Sequence, residues 1–257
     1  MNDTKIWAHR GASGYAPENS LEAFEKAVRL GADGVELDGQ MTRDGDLVVI
    51  PDERIDRVSN GSGMVGEYTL SQLRQYDFNR TNPEFSNVKI PTLEEIYDLL
   101  RGTNLDINVE LKTGICFYDG LAERVLELTG RMGLVDKVWF SSFNHYSICR
   151  LKELNPKVKT GLLYSDGICD PAGYAIMAAG NGSPVDALHP AWYNLQYPGV
   201  VDKAKAKNMK VHVWTVNSEE HARMCFEKGV DAIITNYPDL AREWREMYDR
   251  GKRRKRK

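Results

Sequence analysis

The sequence predicts an α/β protein built as a single (β/α)8 TIM barrel, and three observations carry that expectation. Short β-branched or aromatic runs alternate eight times with longer stretches whose apolar residues recur at helical spacing, the signature of parallel strands joined by helical crossovers. No G-x-G-x-x-G turn follows the first run, where an open doubly wound sheet would place its phosphate loop. The 257 residues match what such barrels use as one domain, about 250.

The first predicted strand is Ile6 to His9. Val35 to Gln40 and Leu47 to Ile50 count together as the second position, and Asp106 to Leu111, Val138 to Ser142 and Thr160 to Tyr164 follow. Ala187 to His189, Val211 to Thr215 and Ala232 to Thr235 complete the set. Between them, Leu21, Phe24, Ala27 and Val28 share one helical face, and Leu93 to Leu100 is a second clear helix. Further helices are expected near Gly120, Tyr146, Pro171, Val200, Glu219 and Pro238. The segment 52–91 breaks the rhythm and is expected as an insertion over the barrel mouth, either functional or a structural cap. The barrel is therefore expected over residues 1–250 and a disordered basic tail over 251–257.

The chain has 34 basic and 37 acidic residues, a net charge of -3. Six of the basic residues lie at 252–257, so the body carries 28 against 37, which argues against nucleic-acid binding. The tail has three open readings: a solvated end, a weak contact with an anionic membrane, or a nucleic-acid contact. No apolar run is long enough for a transmembrane helix, and the N-terminus lacks a secretory pattern, so a cytoplasmic protein is expected. Cys116, Cys149, Cys169 and Cys225 form no C-x-x-C pair and read as reduced thiols.

Barrel active sites are built at the C-terminal ends of the strands. There the first strand ends in His9-Arg10-Gly11, the second carries Glu36 and Asp38, and the third carries Glu110 and Lys112. Strand alternation puts Glu36 with Asp38, and Glu110 with Lys112, on one face, while Val35, Leu37, Val109 and Leu111 take the other. Three inward carboxylates repel one another and lose hydration, which a bound Mg²⁺ or Ca²⁺ would resolve; a metal-free ion-pair network with Arg10 and Lys112 is the other reading. Arg10 and Lys112 are suitable phosphate donors, and His9 is the natural general acid or base. Trp214 is read equally as a pocket wall or as core, with Tyr15, Phe143 and Tyr237 as weaker wall candidates. His189 and His212 share the barrel interior and are expected in packing or substrate contact, while His145 and His221 are expected to be solvated.

The segments HRGASGYAPENSLEAF from His9 and GADGVELDGQMTRDGDLVVI from Gly31 resemble the signature of the glycerophosphodiester phosphodiesterase family, which has a phosphatidylinositol-phospholipase-C-like barrel. NVELK from Asn108, SSFNH from Ser141, LHP from Leu188, VWTVN from Val213 and ITNYPD from Ile234 extend the resemblance over nearly the whole chain. The resemblance implies a metal-dependent hydrolase that converts small glycerophosphodiesters to sn-glycerol 3-phosphate and an alcohol. It assigns Glu36, Asp38 and Glu110 to the metal, His9 to proton transfer, Arg10 and Lys112 to the phosphate, and Trp214 to the substrate pocket. In that family scheme the glycerol 2-hydroxyl attacks phosphorus, two histidines move the protons, and water opens the cyclic phosphate. Two positions depart from the pattern: Pro51 stands where the family has its second catalytic histidine, and Gly39 where a branched residue is usual. Proline has no titratable group, so impaired turnover is expected, and a barrel that binds phosphodiesters without turnover is the alternative.

Overall fold

The structure, a computed structural model, describes residues 3–179, 182 and 184–255. Strands β1 (Lys5–His9), β2 (Gly34–Met41), β4 (Asp106–Leu111), β5 (Val138–Ser142), β6 (Lys159–Tyr164), β7 (Ala187–Pro190), β8 (Lys210–Val213) and β9 (Ala232–Thr235) pair in parallel in that order. β1 pairs with both β9 and β2, which closes the barrel. β3 (Leu47–Val49) folds back antiparallel on β2, so the two runs counted together in the sequence are one barrel strand and its hairpin partner. Strand β8 ends at Val213, earlier than predicted; Trp214 makes only an isolated bridge to Ala191.

The helices are α1 (Leu21–Arg29), α2 (Leu70–Leu73), α3 (Leu93–Leu100), α4 (Leu121–Arg131), α5 (His145–Leu154), α6 (Pro171–Ala179), α7 (Val200–Ala206), α8 (Glu219–Lys228) and α9 (Pro238–Lys255). Their starts follow capping chemistry: the Ser20 hydroxyl accepts the Ala23 N–H before α1, and Thr92 with Glu95 forms a reciprocal capping box before α3. The outward faces of the strands, including Val35, Leu37, Ile107, Val109 and Leu111, join Phe24, Ile96, Tyr97 and Leu100 in one continuous core. The barrel interior instead holds Trp7, with His212 at 4.5 Å and Trp139 at 6.2 Å between ring centres.

Segment 52–91 is a compact insertion, with a short 3-10 helix (Val65–Glu67), α2, and a small core of its own. That core packs Ile55, Val58, Val65, Leu73, Phe78 and Val88 against Val48 and Ile50 of the β3 hairpin.

The expectation of a disordered tail from residue 251 is corrected over 251–255, where α9 continues through Lys255. Lys and Arg are good helix formers, and cations at a helix C-terminus complement its dipole, so the charge run extends the helix. Residues 256 and 257 lie outside the described residues. Among the described residues, no helix is long and apolar enough to cross a membrane.

Candidate active site

Parallel pairing aligns the chemistry: His9 lies beside Glu36, and Asp38 directly opposite Glu110. The three carboxylates offer oxygen atoms that all lie within 4.8 Å of one another. All are buried, Asp38 completely. Asp38 Oδ2 accepts a 2.8 Å hydrogen bond from Asn19 Nδ2 and lies 2.9 Å from Arg10 Nε. Its Oδ1 is buried without a hydrogen-bond partner, 3.8 Å from Lys112 Nζ.

Burial alone would raise the Asp38 carboxyl, but Arg10 and Lys112 outweigh it and hold Asp38 below its usual range. Burial with Asp38 beside it pushes Glu110 up to about 7, although Lys112 Nζ donates to Glu110 Oε1 at 3.1 Å. Burial, then Asp38 and Glu110, push Glu36 well above the usual carboxylate range. The two cations therefore neutralise one of the three carboxylates and leave the other two under repulsion. An all-oxygen donor set with an orphaned carboxylate oxygen fits a hard divalent cation, and the ion-pair network by itself does not balance it.

His9 closes the first strand with Nδ1 2.8 Å from Asn236 Oδ1, in the loop after β9. That acceptor places the ring hydrogen on Nδ1 and leaves Nε2, 3.9 Å from Glu36 Oε2, as the basic nitrogen. Burial, reinforced by Arg10, lowers His9 to about 4, so the ring is neutral at pH 7. Arg10 takes a left-handed backbone conformation, φ 56°, and this turns its N–H onto Glu36 Oε2 at 3.0 Å. Its guanidinium reaches Glu18 Oε2 at 2.5 Å, and Glu18 also pairs with Arg57 of the insertion.

A cavity of about 240 Å³ brings His9, Arg10, Glu36, Glu110, Lys112 and Trp214 together. Of the residues assigned to metal, proton transfer, phosphate and pocket, only Asp38 does not line it, and Asp38 contacts Arg10 and Lys112, which do. Trp214 is fixed by its Nε1–H donating to His189 O at 2.7 Å, and Phe143 meets it edge-on at 5.3 Å. Phe143 also lines the cavity, whereas Tyr15 and Tyr237 pack on each other outside that lining. A larger cavity of about 700 Å³ lies at the opposite end of the barrel. There Lys5 and Lys210 are paired with Asp106 and Asp231, whereas the carboxylate cluster lies at the smaller cavity.

Sequence reasoning gave no role to Asn19, Asn236, Glu18 and Asn108. Asn108 was accessible to strand parity, being two residues before Glu110, and its Nδ2 donates to Ser141 Oγ. The two interior histidines, His189 and His212, contact each other at 2.9 Å, and burial lowers both. His145 and His221 are engaged, not solvated: the first reaches Tyr174 Oη and Leu163 O, each at 2.8 Å, and the second stacks on Trp192 at 3.5 Å.

Pro51 does not line the cavity. It sits in a bend after β3, in a minor crevice with Glu18 and Asn19, and Gln40 Nε2 donates to the carbonyls of Ile50 and Asp52 on either side. Gly39 pairs with Val49 and Leu111, so the strand is continuous there; a Cβ would meet Val109 Cγ1 at 3.3 Å, on the face away from the carboxylates.

The glycerophosphoryl diester phosphodiesterase family model matches residues 9–240. The chain belongs to that family. It is 38% identical over 237 residues to the glycerophosphodiester phosphodiesterase of Caldanaerobacter subterraneus subsp. tengcongensis, covering 92% of this chain and 95% of the relative. A Bacillus altitudinis glycerophosphodiester phosphodiesterase is also 38% identical, with 95% and 98% covered. Among solved structures, an Oleispira antarctica phosphodiesterase in complex with sn-glycerol 3-phosphate superposes with a TM-score of 0.85 at 28% identity, over 94% of this chain and 96% of that one. A Silicibacter pomeroyi protein superposes at 0.86 with 24% identity over 96% and 95%, which shows the shared barrel.

Proposed function

We infer that this protein hydrolyses glycerophosphodiesters to sn-glycerol 3-phosphate and an alcohol, using Mg²⁺ or Ca²⁺ held by Glu36, Asp38 and Glu110. The observation that carries this reading is the convergence of those carboxylates with His9, Arg10 and Lys112 at one cavity of a family barrel. It is supported by the sn-glycerol 3-phosphate bound to the Oleispira antarctica relative.

The cation would supply Lewis-acid stabilisation of charge on the phosphoryl oxygens. Lys112 and Arg10 add charge-assisted donors to the same oxygens, and their anchors on Glu110, Asp38 and Glu18 preorganise them. His9, held neutral with Nδ1–H on Asn236, accepts a proton at Nε2 from the attacking hydroxyl. Trp214 and Phe143 form an aromatic wall against the organic part of the substrate.

Pro51 favours a restricted version of this reading. With one proton-transfer partner missing, a poor leaving group departs unassisted, at a cost of about 10²- to 10⁴-fold. Aryl phosphodiesters, whose phenolate needs no proton, should then be cleaved far faster than choline or ethanolamine esters; equal rates on both would show that Pro51 has removed nothing. The second reading, a barrel that binds phosphodiesters without turnover, rests on the same residue and is tested by the same pair of substrates.

A further inference from the structure

Eleven large apolar side chains stand exposed among the described residues. Six of them, Ile115, Phe117, Phe143, Tyr146, Tyr193 and Tyr197, lie on segments that follow strands β4, β5 and β7, at the end of the barrel that carries the carboxylates. The other five lie on helices α5, α6 and α9. On the two segments beside the site Ile115 is 79% exposed, Phe117 61% and Tyr146 66%. Single exposed apolar residues need no explanation, but a cluster beside a catalytic cavity does.

Three of these side chains, Phe143, Tyr146 and Phe117, stand on the segments after β4 and β5 that border the site. Phe143 stands in the wall of the catalytic cavity against Trp214. Three residues on, Tyr146 meets Phe117 with ring centres 6.1 Å apart. Both line a second cavity of about 230 Å³, together with Leu111, Tyr118, Leu121 and Ala122. The two cavities are neighbours across the same two segments: Glu110 and Lys112 face the first, Leu111 and Thr113 the second. Glu123 and Arg150, which also line the second cavity, are paired with each other at 2.8 Å, so its charges are matched without a charged ligand.

We propose that the preferred substrates are phosphodiesters bearing one long apolar chain, with the diester at the carboxylate cavity and the chain running past Phe143 into the groove between Phe117 and Tyr146. This rests on the hydrolase reading above and extends it to a substrate class. A compact polar diester such as glycerophosphocholine has no apolar part to place in the Phe117–Tyr146 groove; a chain desolvates that groove, and each buried methylene adds to binding. The chain can be carried by the glycerol, as an acyl ester, or by the alcohol.

The test compares three substrates as monomers, below any micelle concentration: glycerophosphocholine, 1-lauroyl-lysophosphatidylcholine, and the dodecyl ester of glycerol phosphate. At least one chain-bearing diester should exceed glycerophosphocholine in kcat/KM by about tenfold or more through KM, and which one does so identifies the partner that carries the chain. In the triple variant I115S/F117S/Y146S that ratio should fall toward one while glycerophosphocholine turnover is unchanged. A ratio near one in the wild type, or a ratio the variant does not lower, overturns the proposal. Calorimetry with dodecylphosphocholine against phosphocholine separates the two readings. If no diester is hydrolysed but the dodecyl compound binds about tenfold tighter to the wild type only, the groove stands and the hydrolase reading fails; equal binding overturns the groove itself.

Discussion

Replacing Glu110 by glutamine should stabilise the metal-free protein while removing its response to metal. Glu110 is buried among Asp38, Lys112 and Glu36, and its carboxyl is pushed from the usual 4.5 up to about 7. Because the folded value lies above the unfolded one, the folded state holds the extra proton between these two values, and stability falls as pH rises through that window. Two and a half pH units at 1.36 kcal/mol each make the ionised carboxylate cost about 3 kcal/mol at pH 8. Glutamine keeps the shape without the charge, so Glu110→Gln should gain about 3 kcal/mol at pH 8 in chelator and less than about 1 kcal/mol at pH 5. With saturating Mg²⁺ or Ca²⁺ the order should reverse, because only the wild type gains binding free energy. Urea unfolding at both pH values, with chelator and with metal, gives all four numbers. A variant that is less stable than the wild type in chelator at pH 8, or a difference indifferent to metal, would refute the claim that the carboxylate is held under repulsion for a cation.

Restoring histidine with Pro51→His should raise the rate on glycerophosphocholine by about 10²-fold or more and leave aryl diesters nearly unchanged, read by steady-state kinetics on both. His189 is held down at about 3 by burial, so its stabilising contribution is present above pH 6.5 and is lost as pH falls toward 3; unfolding free energy should drop by about 2 kcal/mol between pH 8 and 5 from this group, read as the part of the pH dependence of urea unfolding that His189→Gln removes. Ser20→Ala should cost about 1 kcal/mol in the same assay, since the hydroxyl caps α1. Its kcat should hold, because Ser20 does not line the catalytic cavity.

The barrel and the carboxylate cluster were legible because both rest on local periodicity. Period-two alternation along β2 and β4 places Glu36, Asp38, Glu110 and Lys112 inward and Val35, Leu37, Val109 and Leu111 toward the helices, and the structure has that parity. What stayed hidden depends on contacts between distant parts of the chain. Asn236 sets the His9 tautomer from 227 residues away, and Glu18 links Arg10 to Arg57 across the insertion. No spacing rule encodes either. The end of α9 was missed for a different reason: a run of like charges reads as solvated chain, yet it continues a helix already nucleated at Pro238 and placed with its cations at the favourable end. His145 and His221 were misjudged because their ring partners, Tyr174 and Trp192, come from neighbouring barrel units.

Release of sn-glycerol 3-phosphate from glycerophosphocholine, followed with Mg²⁺, with Ca²⁺ and with chelator, bears on the whole assignment at once. Product should form with at least one of the cations, slowly in this chain and faster after Pro51→His, and should vanish in chelator or when Asp38 is replaced by alanine. Product formation that is indifferent to chelator would contradict the metal assignment to Glu36, Asp38 and Glu110. No product from either protein with either cation would contradict the hydrolase reading itself.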